Sequence, residues 1–214
     1  MTTIFTRRAA IATGAASGLM LSGLPLWAQD ATTGEAEATG PDTRAYVMGD
    51  ADAPVHVIEY ASLTCSHCAR FHTDVLPQLR EDYIETGKVK LEFREVYFDR
   101  LGLWGGMLAR CGGGMRYFGI VGLLLERQAD WTRVSSGEEA IAAMRRIGLE
   151  AGLTDAQMDE CLQDSALAEA LVAKYQEHTE EYPITGTPSF VIDGELNSNM
   201  SYSDLSAKLD AALG

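Results

Sequence analysis

Positive charge is scarce in this chain: 17 lysines and arginines stand against 31 aspartates and glutamates in 214 residues, a formal net charge of −14. A surface of that sign repels phosphate backbones and anionic headgroups, so nucleic acid and acidic membrane surfaces are excluded as partners. Metal-binding patterns are lacking too. Cys65 and Cys68 form one CxxC, but no second CxxC and no HxxxH pair follows, so the donor set of a closed zinc site is incomplete. There is no internal repeat, and beyond the N-terminus no run reaches the ~20 apolar residues that a membrane span needs. Cysteine itself is sparse, with four in the chain.

What is present starts with an export signal. Thr6-Arg7-Arg8 gives a basic start, Ala9 to Leu26 an apolar and small-residue run, and Trp27-Ala28 a cleavage point, so residues 1–28 read as a signal peptide. An uncleaved anchor is the alternative, and the many Gly, Ser, Thr and Ala residues make it a poor one. The paired arginines leave both the general secretory and the twin-arginine routes open. Without residues 1–28 the balance is 15 basic against 31 acidic side chains, or −16. Export to an oxidising compartment lets disulfides persist.

With 46% hydrophobic residues, the length supports one core carrying an inserted subdomain rather than two independent domains. Residues 29–44 lack large apolar side chains and read as a mobile lead-in. Ala45 to Met48 reads as a short edge strand and Val55 to Tyr60 as a central strand with both faces buried. Ala69 to Thr86 has a helical pattern that Pro77 must kink or divide and that Gly87 ends. Val89 to Tyr97 alternates as a strand, which makes a right-handed strand–helix–strand crossover the expected topology.

From Leu101 to Tyr182 the period is helical throughout, with helix starts marked by Ser136 with Glu139 and Thr154 with Gln157. Strands resume at Ser189 to Ile192 and return through Leu196, and Ser201 to Leu213 is a closing helix. The expected division is 45–100 and 183–214 for one α/β fold, with 101–182 as an all-helical insertion.

The chemistry sits at Cys65-Ser66-His67-Cys68. A thiol at a helix N-terminus faces unpaired N–H groups and the positive end of the helix dipole, which favour its thiolate. Cys65 has that position and reads as the attackable sulfur, with Cys68 one turn deeper as the resolving one. His67 can place a charge or a donor near the Cys65 sulfur. A stable thiolate is a good leaving group, so the pair leans towards donating its disulfide.

By itself Pro188 reads as an ordinary trans proline entering a strand; with the Cys65 motif present, Thr187-Pro188 is expected to lie against the disulfide, with Pro188 cis and Thr187 offering backbone groups to an extended substrate. Glu59, on a buried strand, either exchanges protons with Cys68 or forms a structural ion pair, with Lys90 on the next strand as its partner. His72 reads as a surface residue, and His56 and His178 carry no chemical signal. Cys111 and Cys161 fall in the helical stretch, and export favours a structural disulfide between them over two free buried thiols.

These motifs resemble the DsbA-like thiol-disulfide oxidoreductases, specifically the proteobacterial group with a second cysteine pair. Glu59-Tyr60 ahead of the CxxC, the helical insertion and Gly186-Thr187-Pro188 all match. The resemblance implies a thioredoxin fold (α/β) with an inserted all-helical subdomain, and a periplasmic dithiol oxidase of exported cysteine-containing proteins. It implies Cys65 as nucleophile, Cys68 as resolving cysteine, Pro188 as the cis proline and Glu59 as the buried acid. It also implies a DsbB-type membrane reoxidant and no cofactor beyond the redox-active disulfide.

Ser66 and Thr187 depart from the best-known members, which carry proline and valine there, and Thr187 matches the related isomerases as well. An isomerase or reductase of the DsbC/DsbG type is therefore the alternative; such enzymes need a dimerisation segment for which residues 29–44 are too few, so a monomer is expected. A metal chaperone built on Cys65, Cys68 and His67 is the more distant one.

Overall fold

The computed structural model describes residues 40–214. The expected signal peptide and the lead-in up to residue 39 lie outside them. Among the described residues no helix is long and apolar enough to cross a membrane.

Five strands form one mixed sheet in the order β1-β3-β2-β4-β5. They are β1 (Tyr46–Met48), β2 (Val55–Ala61), β3 (Val89–Glu95), β4 (Ser189–Ile192) and β5 (Glu195–Ser198). β2 and β3 run parallel, and every other pairing is antiparallel. The parallel pair needs a crossover. Ser66 to Ile84 supplies it as a helix in four pieces: α1 (Ser66–Arg70), a π-helical turn (Phe71–Val75), α2 (Leu76–Leu79) and a second π turn (Arg80–Ile84).

Pro77 lies at the start of α2, so the break its missing N–H demands is taken up by the first π turn, where the ladder is already widened. Gly87, at φ +72°, then turns the chain out of the helix.

Alternation along β2 sorts its side chains onto the two faces. Val55 and Val57 point to a core made with Phe71, Leu76, Leu79 and Tyr83 of the crossover helix and with Leu205 and Leu209 of α9 (Tyr202–Leu213). Ile58 and Tyr60 point the other way, into a core with Val96 and Val191 that Tyr175 and Tyr182 cover.

Between β3 and β4 the chain is helical: α3 (Arg100–Arg110), α4 (Tyr117–Glu126), α5 (Gln128–Thr132), α6 (Gly137–Glu150), α7 (Asp155–Leu162) and α8 (Ser165–Glu181). Their own core is built on Leu108, Ile120, Leu124, Trp131, Met144 and Met158. The α7 start has the full capping box, Thr154 with Gln157. At α6 only half of it forms: Ser136 accepts from Glu139 N, while the Glu139 carboxylate turns to Ser135 N and Oγ. Cys111, which caps α3, is disulfide-bonded to Cys161 on α7, with Cα atoms 5.8 Å apart.

Asp42 and Arg44, at the end of the expected lead-in, are held by the fold. Arg110 is buried and pairs with Glu95 through both terminal guanidinium nitrogens, and its remaining N–H groups donate to Asp42 O (2.9 Å), Gly106 O (3.3 Å) and Arg44 O (3.4 Å). Burial lowers the affinity of Arg110 for its proton, but the Glu95 carboxylate outweighs this and leaves the guanidinium firmly charged.

Candidate active site

The turn from β2 into α1 places Cys65 at the N-cap, in extended geometry (φ −83°, ψ 120°), with no side-chain cap of its own. Cys65 is half-buried and Cys68 fully buried, and both are free thiols. Cys65 Sγ donates to the Thr187 carbonyl at 3.3 Å, and the Thr187–Pro188 peptide bond is cis. The loop before β4 therefore lies against the sulfur, 122 residues away in sequence.

The two thiols are driven apart in acidity. Cys65 is lowered from 9.0 to about 5: the Cys68 thiol donates to it, burial opposes this, and the Thr187 side chain and the backbone N–H groups of Cys68 and His67 add further donors. The contact to the Thr187 carbonyl favours the protonated sulfur, so it does not cause the lowering. The Thr187 hydroxyl can: Oγ1 is buried without another partner and is free to turn towards a thiolate. Cys68 is pushed far up, first by its hydrogen bond to Cys65, then by burial and the Glu59 charge. One sulfur is thus poised to be attacked or to leave, and the other holds its proton.

His67 contributes differently from expectation. Its ring is exposed and its Nδ1 accepts from Arg70 Nη2 at 2.8 Å, so its action on Cys65 runs through the backbone N–H. The peptide group is aimed at the sulfur by the helix start, whereas the side chain follows the outer face.

Glu59 is fully buried beneath the site, but Lys90 is not its partner. In the sheet Glu59 pairs in register with Phe93 and Lys90 with His56, and the period of two sends Lys90 to the opposite face, where its Nζ donates to Ala51 O at 2.8 Å. The partner is His72, whose Nε2 lies 3.0 and 3.2 Å from the two Glu59 oxygens. The expectation of a surface His72 is overturned: its side chain is 7% exposed. It follows Cys68 by four residues on the same helix, and residues four apart share a face, so the burial of Cys68 was the signal for that of His72. Phe71, Phe93 and Phe190 enclose the pair, with ring centroids 5.6 Å apart for His72–Phe93 and 4.8 Å for Phe71–Phe190.

Two further residues hold the loop and were not legible as site residues. Gln128 of α5 is buried, and its Nε2 donates to Leu63 O (2.8 Å) and Cys65 O (3.0 Å). Asp99 caps α3 by accepting from Gly102 N (2.8 Å), and its other oxygen accepts from Thr64 Oγ1 (2.8 Å). Asp99 precedes a helical stretch, which is a readable cap signal, whereas nothing local marks Gln128. Gly105 completes the fit: a Cβ there would come within 2.9 Å of Leu63 Cδ1. Among the described residues no three metal-ligating side chains converge.

Residues 42–211 match the family described as Thioredoxin. A Rickettsia bellii relative, a protein-disulfide oxidoreductase by name, is 32% identical over 173 residues, 80% of this chain and 66% of its own length. The chain spans 61–66% of the Rickettsia relatives it matches. Among solved structures, Wolbachia pipientis α-DsbA1 superposes with a TM-score of 0.73 at 26% identity, covering 82% of this chain and 94% of that one. Bacillus subtilis BdbD shares the fold, with a TM-score of 0.69 at 20% identity over 78% of this chain and 91% of its own. By sequence match the chain belongs to the thioredoxin family, and its structure is similar to those of DsbA proteins.

Proposed function

We propose that the chain is a thiol-disulfide oxidoreductase that donates the Cys65–Cys68 disulfide to exported proteins. The observation that carries this is the asymmetry of the two sulfurs: Cys65 is half-exposed at a helix N-terminus and lowered to about 5, while Cys68 is buried and raised. A substrate thiolate attacks Cys65 Sγ, the Cys65–Cys68 bond breaks, and Cys68 takes the electron pair and a proton. A second substrate thiolate then attacks the substrate sulfur of the mixed disulfide and expels Cys65 as its stable thiolate. Two electrons move from substrate to protein, and one substrate disulfide forms.

Thr187, beside the cis peptide bond, offers its backbone to an extended substrate segment, as strand-like recognition requires. Turnover needs an oxidant for the resulting dithiol, and the reading assigns this to a DsbB-type membrane protein, with the periplasm as compartment.

In the test, the oxidised protein is incubated with a reduced peptide bearing two cysteines, and the single-cysteine variants, which have no disulfide to donate, with the same peptide carrying its own disulfide. Cys65→Ser is expected to abolish exchange, and Cys68→Ala to accumulate a mixed disulfide at Cys65. Accumulation on the Cys65 variant would reverse the assignment, and exchange surviving the loss of both cysteines would end it.

A further inference from the structure

Breaking the Cys65–Cys68 bond leaves a thiolate on Cys68, the sulfur buried out of reach of water. A leaving thiolate in that position needs a proton, and the mouth of the site holds Cys65 and the substrate. Away from the mouth, the ionisable neighbour of Cys68 is Glu59. Glu59 lies beneath it, close enough for its charge to act on Cys68, and both carboxylate oxygens meet His72 Nε2. His72 in turn lines a groove of about 780 Å³ between the first π turn and α4. Met48, Leu76, Phe118 and Val121 form its apolar wall. The charged groups on it are Arg80, from the same helix and paired with Glu85, and Glu126 from α4. From β3 the ring meets Phe93, which carries no charge. Among the described residues, His72 is the one lining the groove that hydrogen-bonds to Glu59.

Resting on the oxidoreductase reading, we propose that His72 is a proton relay that supplies the departing Cys68 from the water of this groove, through Glu59. When the substrate thiolate breaks the disulfide, the Nε2 proton of the imidazolium passes to Glu59 and from Glu59 to Cys68. The count balances: thiolate, carboxylate and imidazolium become thiol, carboxylate and neutral imidazole, one negative charge before and after. The ring, which keeps its Nδ1 hydrogen, then turns its free Nε2 towards the groove and takes up a proton from the water there. No electron passes through His72, and it touches no reacting atom, so its role is to set the protonation of Glu59.

The experiment follows the reduction of the oxidised full-length protein by a small monothiol, each rate divided by the fraction of that thiol present as thiolate. The range is about pH 5 to 8, across which histidines exchange protons. For the unmodified protein the corrected rate is expected to rise as the pH falls. His72→Gln keeps a donor towards Glu59 but carries no exchangeable charge; it is expected to be about a hundredfold slower at the acid end, at the low edge of general-acid effects, and equal at the alkaline end. In His72→Ala, free imidazole admitted through the groove is expected to restore the acid-end rate.

A corrected rate for the unmodified protein that is flat with pH overturns the relay, whatever the variants do. So does a His72→Gln deficit of the same size at every pH, which is the mark of a structural role. If the unmodified protein does not react at all, it is the oxidoreductase reading that fails.

Discussion

The acidity of Cys65 has a consequence for stability that can be measured without any substrate. Its thiol is lowered from 9.0 to about 5. At about 1.36 kcal/mol per tenfold change in acidity, that difference corresponds to roughly 5 kcal/mol. Cys65 is only half-buried, so solvent screening reduces the figure to about 2–3 kcal/mol. The folded chain keeps the thiolate down to about pH 5, whereas the unfolded chain protonates it below about pH 8.5. The stabilisation is therefore complete above the unfolded value, shrinks as pH falls, and is gone below about 5.

The oxidised protein has no Cys65 thiol and shows none of this. Cys68 stays protonated in both states up to the alkaline limit and does not interfere below about pH 8. Urea unfolding of the reduced and oxidised forms from about pH 4.5 to 8, with Cys111–Cys161 confirmed intact in both, is expected to show the reduced form gaining about 2–3 kcal/mol on the oxidised one. At about 2–4 °C per kcal/mol, melting temperatures should separate by roughly 5–10 °C over the same interval. The thiolate absorbance should titrate near 5. A stability gap that does not move with pH, or a Cys65 that titrates near 8.5, would refute the reasoning and with it the case for a strong disulfide donor.

Two predictions concern the scaffold. Replacing both Cys111 and Cys161 with serine opens a loop with a sequence separation of 50 and is expected to cost about 2–4 kcal/mol in urea unfolding; an unchanged midpoint would mean that the link constrains nothing. Gln128→Leu removes the side-chain donor to Leu63 O and leaves that carbonyl buried, at an expected cost of about 1–3 kcal/mol. The same loosened turn should raise the Cys65 titration point, and a variant that loses stability while Cys65 titrates unchanged would restrict Gln128 to packing.

Much of the site was legible because it is local. The period of two along Val55 to Tyr60 and the change to a helical period after Cys65 depend on neighbours in the chain. So do the thiol at a helix start and the Thr154–Gln157 cap, since backbone geometry sets where side chains point a few residues away. The crossover helix, the insertion and the closing helix follow from the same patterns. His67 shows the limit even at short range: its place beside Cys65 was plain, but whether its ring or its N–H faced the sulfur depended on Arg70.

The partners that complete the site were decided by packing. Lys90 lost Glu59 to His72 because two strands in register leave one residue of choice between opposite faces, and His72 was turned inward by the same helix face that buries Cys68. Gln128 reaches the Cys65 carbonyl from 63 residues away and Thr187 reaches the sulfur from 122. Sequence alone determined the fold class and the identity of the reactive pair, since both rest on periodicity and on a motif at a helix end. Only the tertiary structure decided what surrounds that pair, because a contact between distant elements depends on how whole faces fit together, and no local pattern records that fit.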